Sequence, residues 1–232
     1  MNIALLTASG IGERMKNNIP KQFIHVNNKP IIIYTLEAFE NHPSIDAIIV
    51  VCLDGWHDIL RAYAKQFKIN KLKWIVSGGK TGEESIENGL NKLKEECKLE
   101  DIVIVHDGNR PLVSPDIISD NLVVQSQYGS AVTAIPCVEA IFETENFVDS
   151  TKTIPREKLV RTQTPHSYTL EKLLWAHKER KIRGISNTIA SCDLMLKLGE
   201  KVYFSRGNER NLKITTKEDL EIFEGLLKMR GN

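Results

Sequence analysis

Leu5-Leu6-Thr7-Ala8-Ser9-Gly10-Ile11-Gly12-Glu13-Arg14-Met15, followed by Pro20-Lys21-Gln22-Phe23, decides how this chain is read. It has the form of a first β-strand running into a glycine-containing loop. Arg14 and Lys21 stand just beyond, seven positions apart. Glycine has no Cβ and tolerates positive φ, so a loop of this kind lets backbone come close to a ligand. Its successive N–H groups form a concavity for phosphate oxygens. With two fixed cations beside it, the stretch reads as a triphosphate site. The same residues also suit a plain strand-to-helix turn with solvated charges. Two better-known phosphate loops are excluded. Met15 stands where a dinucleotide fingerprint requires a third glycine, and Gly12 is followed by Glu13-Arg14 rather than Lys-Ser/Thr.

Downstream, strands and helices alternate, which predicts a mostly parallel sheet covered on both faces. Ile48-Ile49-Val50-Val51 is a continuous apolar run suited to a strand buried on both sides. Trp56, Ile59, Leu60, Tyr63 and Phe67 keep helical spacing, as do Ile86, Leu90, Leu93 and Cys97. Pro30 and Ser114-Pro115 mark helix starts. Short strands are expected at 130–136, 201–205 and 212–214, and Thr215 with Glu218 as a capping box for the last helix. The pattern is poor over 137–156, which suggests an extended arm or hairpin outside the main sheet.

In such sheets ligands bind at the carboxyl edge of the strands. Glycine and charge gather at four expected strand ends: 8–15, 78–85, 106–111 and 207–213. Their convergence there favours the phosphate reading over the plain turn. Asp107 offers a carboxylate for Mg²⁺, and Arg110 a bidentate phosphate contact. Gly78, Gly79 and Ser85 suit a close approach to a base or ribose. His106 reads as structural.

Composition bounds the rest. The 232 residues are 41% hydrophobic and 26% charged, with a net charge of +1. No basic field argues for nucleic acid, and no apolar run is long enough for a membrane helix. Cys52, Cys97, Cys137 and Cys192 are scattered, so reduced thiols in a cytoplasm are expected rather than disulfides or zinc.

Taken in order, these segments resemble the cytidylyltransferases of the methylerythritol-phosphate and ribitol-phosphate type. The resemblance rests on Ala8 to Met15, Pro20 to Phe23, His106 to Pro111, Arg156 upstream of Thr164-Pro165, and Asn211-Leu212-Lys213-Ile214-Thr215. It implies a single-domain Rossmann-like α/β fold of three layers with a projecting β-arm. It further implies transfer of CMP from CTP to a polyol phosphate, with Mg²⁺ and release of pyrophosphate. By the same likeness Arg14, Lys21 and Lys213 are catalytic. Ala8, Ser9, Gly10, Gly12, Gly78, Gly79 and Ser85 bind CTP, and Asp107, Arg110 and Arg156 bind the second substrate, with Asp107 on the metal. The arm is expected to cross to a second subunit of a homodimer and carry Arg156 to its site. Gly82, Ala140, His166 and Ala190 depart from the family pattern, mostly on the polyol side. A non-catalytic CTP-binding homologue is the competing reading.

Overall fold

The computed structural model describes residues 1–10 and 19–230. Gly12 and Arg14 therefore lie outside the described residues. β1 (Asn2–Ala8) leads to a 3₁₀ turn at Lys21–Phe23 and a small hairpin, β2 (His25–Val26) and β3 (Lys29–Pro30). Its two linking residues, Asn27 and Asn28, have φ of 49° and 62°, the left-handed backbone that a tight hairpin turn requires. The chain continues through α1 (Ile31–Glu40), β4 (Ala47–Cys52), α2 (His57–Gln66), β5 (Leu72–Ser77), α3 (Gly82–Glu96) and β6 (Ile102–Asp107). Then come α4 (Pro115–Tyr128), β7 (Ser130–Pro136), β8 (Ile141–Glu143), β9 (Lys152–Ile154) and β10 (Val160–Thr169). α5 (Leu170–Ile182), α6 (Ser191–Lys197), β11 (Phe204–Arg206) and α7 (Lys217–Arg230) complete it.

Among the described residues the central sheet has seven strands in the order β11-β7-β10-β6-β1-β4-β5. β10 is antiparallel to both its neighbours, and the other pairings are parallel. Strand alternation sorts the apolar side chains onto two faces. Ala4, Leu6, Ile48, Val50 and Ile104 meet α1, α2 and α4 on one side. Ile3, Leu5, Ile49, Val51 and Val103 meet α3, α5 and α6 on the other. Sheet and helices thus form three layers, as expected. A separate cluster of Val26, Ile31, Leu112, Ile214 and Phe223 docks α7.

Four details depart from the expectation. β10 carries no apolar run, because its buried residues include Gln163, His166 and Ser167. Residues 212–214 join no strand ladder: the amide of Ile214 donates instead to Asn109 O at 2.9 Å. The cap of α7 is one residue later than expected. The Thr216 amide donates to Asp219 at 2.8 Å, and the Asp219 amide returns a bond to the Thr216 hydroxyl at 3.3 Å. Ile59 faces outward, 39% exposed, leaving Leu60 and Ala64 as the buried positions of α2. Over 137–156, β8 and β9 pair as an antiparallel hairpin that is a sheet of its own. No helix among the described residues is long and apolar enough to cross a membrane.

Asn121 of α4 ties the antiparallel strand into the sheet from above. Wholly buried, it donates to Pro165 O at 3.0 Å and Ser205 Oγ at 2.9 Å, and accepts from the Ser167 hydroxyl. Removing one member of a buried polar network strands the others without partners, at about 1–3 kcal/mol each. Asn121→Ala is therefore expected to lower unfolding free energy by about 2–4 kcal/mol, read as a fall in the urea midpoint at unchanged m.

Candidate active site

A cleft of about 490 Å³ opens at the carboxyl edge of the sheet, within the range of small-molecule sites. Three of the expected strand ends meet there in strength, and the fourth contributes Lys213.

The first wall comes from the end of β1. Ala8, Ser9 and Gly10 line the cleft, and so does Lys21. The buried amide of Gln22 holds the loop edge by donating to Ala8 O at 2.6 Å and Gly10 O at 3.3 Å. Phe23 anchors the same turn by stacking on Trp56, with ring centroids 4.5 Å apart. Lys21 is thus carried on a turn fixed at two points.

The second wall is the turn from β5 into α3. The Ser85 hydroxyl donates to Thr81 O at 2.8 Å and accepts from the Gly79 amide and the Ser9 hydroxyl, both at 3.0 Å. That set welds the first two walls together. Gly78 is needed for it, since a Cβ there would collide with the Ser9 side chain. Gly79 and Ser85 line the cleft, whereas Gly78 packs behind Ser9.

The third wall is the end of β6. Asp107 receives Lys213 Nζ at 2.9 Å on one oxygen and Arg110 Nε at 2.9 Å on the other. Burial pushes its carboxyl upward, but the charges of Lys213 and then Arg110 outweigh burial and hold it well below the usual carboxylate range. Asn109 brings the lysine in: its side chain donates to Ile214 O and its own carbonyl accepts the Ile214 amide. Arg110 also donates to Asn211 O at 2.7 Å and does not line the cleft. The guanidinium is thus turned onto a carboxylate and a carbonyl.

His106 is buried and bonded on both nitrogens. Nε2 lies 3.2 Å from Arg110 O, which only accepts, so that nitrogen carries the proton. Nδ1 then accepts from the Thr164 hydroxyl at 3.0 Å, and Thr164 Oγ1 accepts the Asp107 amide at 3.1 Å. Burial drives the imidazole down to about 3 against the pull of Asp107. His166, one of the departures noted in the sequence, lines the cleft from β10, and burial holds it at about 4.

The fourth wall is the segment before α6, where Thr188, Ile189 and Ala190 line the cleft. Glu83 of α3 accepts from the Thr188 amide at 2.9 Å and its hydroxyl at 2.8 Å. Burial pushes Glu83 up, but these bonds, with those from its own amide and the Thr81 side chain, bring it to about 2. Asp193 accepts the Ile189 amide at 3.0 Å and pairs with Lys197 at 3.1 Å. Both polar neighbours of Ala190 are therefore engaged.

Of the expected site residues, the structure brings together Ala8, Ser9, Gly10, Lys21, Gly79, Ser85, Asp107 and Lys213. Arg156 lies away from the cleft, exposed, with Nη1 on Val138 O at 2.8 Å. Ala140 is likewise exposed beside the hairpin. Gln22, Asn109, Thr164 and the Glu83–Thr188 pair were not singled out from sequence. The first three lay inside motifs already quoted, and an acidic residue at a helix start such as Glu83 carries no local signal of a distant partner.

Comparison with known proteins finds relatives along nearly the whole chain. The family model described as IspD, 2-C-methyl-D-erythritol 4-phosphate cytidylyltransferase, matches residues 2–229. A ribitol-5-phosphate cytidylyltransferase of Lacticaseibacillus paracasei is 43% identical, the match covering 98% of each chain. A 2-C-methyl-D-erythritol 4-phosphate cytidylyltransferase of Clostridium acetobutylicum is 38% identical, again over 98% of each chain. The solved structure of 4-diphosphocytidyl-2C-methyl-D-erythritol synthase from Anaerococcus prevotii has a TM-score of 0.83 at 23% identity. That match covers 98% of this chain and 96% of the other, and shares the fold.

The buried imidazoles set a pH dependence. His177, which also lines the cleft, is held by burial at about 4. For His106, His166 and His177 the folded value lies below the ordinary one, so below pH about 6.5 the unfolded chain takes up protons that the folded chain refuses. Stability is full above that pH and falls as pH drops. Each histidine is expected to remove about 2 kcal/mol between pH 7 and 5. Urea titrations across that window should show the loss, and His177→Gln should reduce it by about 2 kcal/mol.

Proposed function

This chain belongs to the 2-C-methyl-D-erythritol 4-phosphate cytidylyltransferase family, and from that premise we propose that it transfers the cytidylyl group of CTP to ribitol 5-phosphate. A phosphate oxygen of the polyol attacks the α-phosphorus of CTP. The new P–O bond forms as the bond to the β-phosphate oxygen breaks, and pyrophosphate leaves with that electron pair. No protein nucleophile is required, so the chain contributes positioning and charge.

The observation that carries the reading is the joint cleft itself. Lys21 lines it from one side and Lys213 from another, the latter seated on Asp107. Two such cations face a triphosphate whose charge shifts as the bond to pyrophosphate breaks. Arg14, in the same motif, is assigned with them. Ala8, Ser9, Gly10, Gly79 and Ser85 are assigned to CTP, Gly78 to keeping Ser9 and Ser85 in contact, and Gly12 to the phosphate loop.

Mg²⁺ belongs to this reading. Among the described residues no group of three or more His, Cys, Asp and Glu side chains is arranged for a metal. A lone carboxylate fits a hard cation that keeps phosphate and water ligands, and Asp107 would hold it. Once bound it would neutralise triphosphate charge. Without it, Lys213 and Arg110 balance that carboxylate.

Ribitol 5-phosphate is preferred over methylerythritol 4-phosphate on two grounds. The full-length ribitol-phosphate relative shares 43% identity, against 38% for the methylerythritol-phosphate one. Ala190 also leaves one cleft wall without the carboxylate that the family pattern places there, and Thr188 and Asp193 are already engaged. We assign the cytoplasm as its compartment, where CTP is available and the four free cysteines stay reduced.

The hairpin of β8 and β9 is assigned to a homodimer. It exposes Phe142 at 63%, Phe147 at 95% and Val148 at 86%, apolar area that a second subunit would cover. Arg156 beside it would then reach the partner's cleft.

A pyrophosphate-release assay with CTP, Mg²⁺ and a panel of polyol phosphates tests the activity. Ribitol 5-phosphate is expected to give the highest kcat/KM; a higher value for methylerythritol 4-phosphate refutes the choice of acceptor. In the same assay Lys21→Ala should lower kcat by about a hundredfold, on the order of 3 kcal/mol, with CTP binding far less affected. Sedimentation at micromolar concentration should show a dimer, and a fully active monomer would refute the assembly.

A further inference from the structure

Glu83 stands in the first turn of α3, where an acidic side chain ordinarily does no more than face the helix dipole. Here it accepts both the amide and the hydroxyl of Thr188, 105 residues further on. The Ile189 amide is held by Asp193, and Lys197 donates to Asn187 O at 3.1 Å. Three consecutive residues, 187–189, are therefore tied down at the backbone. Yet the Ile189 side chain is 93% exposed. So much polar restraint with so little apolar burial serves the cleft that these residues line, rather than the core.

The bonds also fix the sense of one hydroxyl. Thr188 has a single O–H proton, and Glu83, ionised, can only accept it. Thr188 Oγ1 is left with lone pairs alone to offer. The Thr81 side chain of the CTP wall also reaches this carboxylate, but the contacts that join the two CTP walls are made by other groups. Ser85 is bonded to Gly79, Thr81 O and Ser9, and the Lys80 amide to Glu84 at 2.7 Å.

We propose that Glu83 is a positioning residue for the acceptor: by taking the Thr188 proton it holds residues 188–190 as one wall of the cleft and presents Thr188 Oγ1 as a hydrogen-bond acceptor to a hydroxyl of the polyol phosphate. This rests on the cytidylyl-transfer reading above. It makes the wall selective for a polyol that offers a donor hydroxyl at that point, because a site built for one hydrogen-bonding sense discriminates against a group that cannot supply it.

Steady-state kinetics on purified variants test it. Glu83→Ala is expected to raise KM for ribitol 5-phosphate about tenfold, with kcat and the KM for CTP within about twofold of wild type. Glu83→Gln keeps an oxygen that accepts, and should stay within about threefold of wild type. Thr188→Val should reproduce the rise in KM, and the double variant should add nothing to it, as expected of two residues acting as one unit. An unchanged acceptor KM in Glu83→Ala, an equal rise in the KM for CTP, or additive effects would overturn the proposal. If Glu83→Ala does not fold, Thr188→Val decides, and an unchanged acceptor KM there also overturns it. Wild-type enzyme that turns over while the variants match it sinks this proposal alone. Wild-type enzyme that releases no pyrophosphate with any polyol phosphate sinks the activity and this proposal together.

Discussion

A carboxylate at the end of the inner strand β6, most of it shielded from solvent, is tolerated only where cations come to it, and much of the cleft follows from that need. Burying an unpaired charge costs several kcal/mol or more, so Asp107 must be matched on both oxygens. Arg110 arrives from three residues on, and Lys213 from the opposite end of the chain. The second delivery requires a docked segment. Asn109 exchanges two hydrogen bonds with Ile214, Arg110 holds Asn211 O, and the Asn211 side chain donates to Thr164 O at 2.8 Å. Behind this segment Phe223 packs edge-on against Tyr34 at 5.2 Å and seats α7. The lysine thus has its place because the carboxylate needs it, and the carboxylate is tolerated because the lysine is placed.

The neighbouring imidazoles keep this balance simple. A histidine that charged near pH 7 would compete with Lys213 and Arg110 for Asp107. Burial keeps His106 and His166 neutral, at about 3 and 4. The positive field facing the cleft then comes from lysines rather than from imidazoles. The chain from Arg110 O through His106 and Thr164 to the Asp107 amide also fixes the peptide that carries the carboxylate.

Much of this was legible in the sequence where physics writes in apolar residues. The runs at β1, β4 and β6 are buried from both faces and read as such, and their shared direction placed Ala8, Ser85 and Asp107 at one edge. What was hidden is held by polar side chains. β10 reads as a polar stretch because its partners are Asn121 and Thr133, themselves bonded to Ser205, rather than leucines. Arg110 shows in the sequence as a charge, which does not record the carbonyl and carboxylate it meets. Gln22 and Glu83 act on groups 14 and 105 positions away, and no local spacing announces such a contact. Residues 212–214 satisfy a strand pattern yet find a side chain and a loop carbonyl before any ladder.

The separation between Asp107 and Lys213, 106 residues, bears on how the molecule comes into being. During synthesis the amino-terminal strands emerge first, and β1, β4 and β6 are available to pair long before the ribosome reaches the lysine. A nascent chain at that stage has its aspartate, but Arg110 is the only cation of the pair yet made. Folding that depends on such distant contacts is slow relative to local folding. The ionic closure of the cleft therefore waits until residue 213 has been made, and a chain truncated before it would hold Asp107 without one of its two cations.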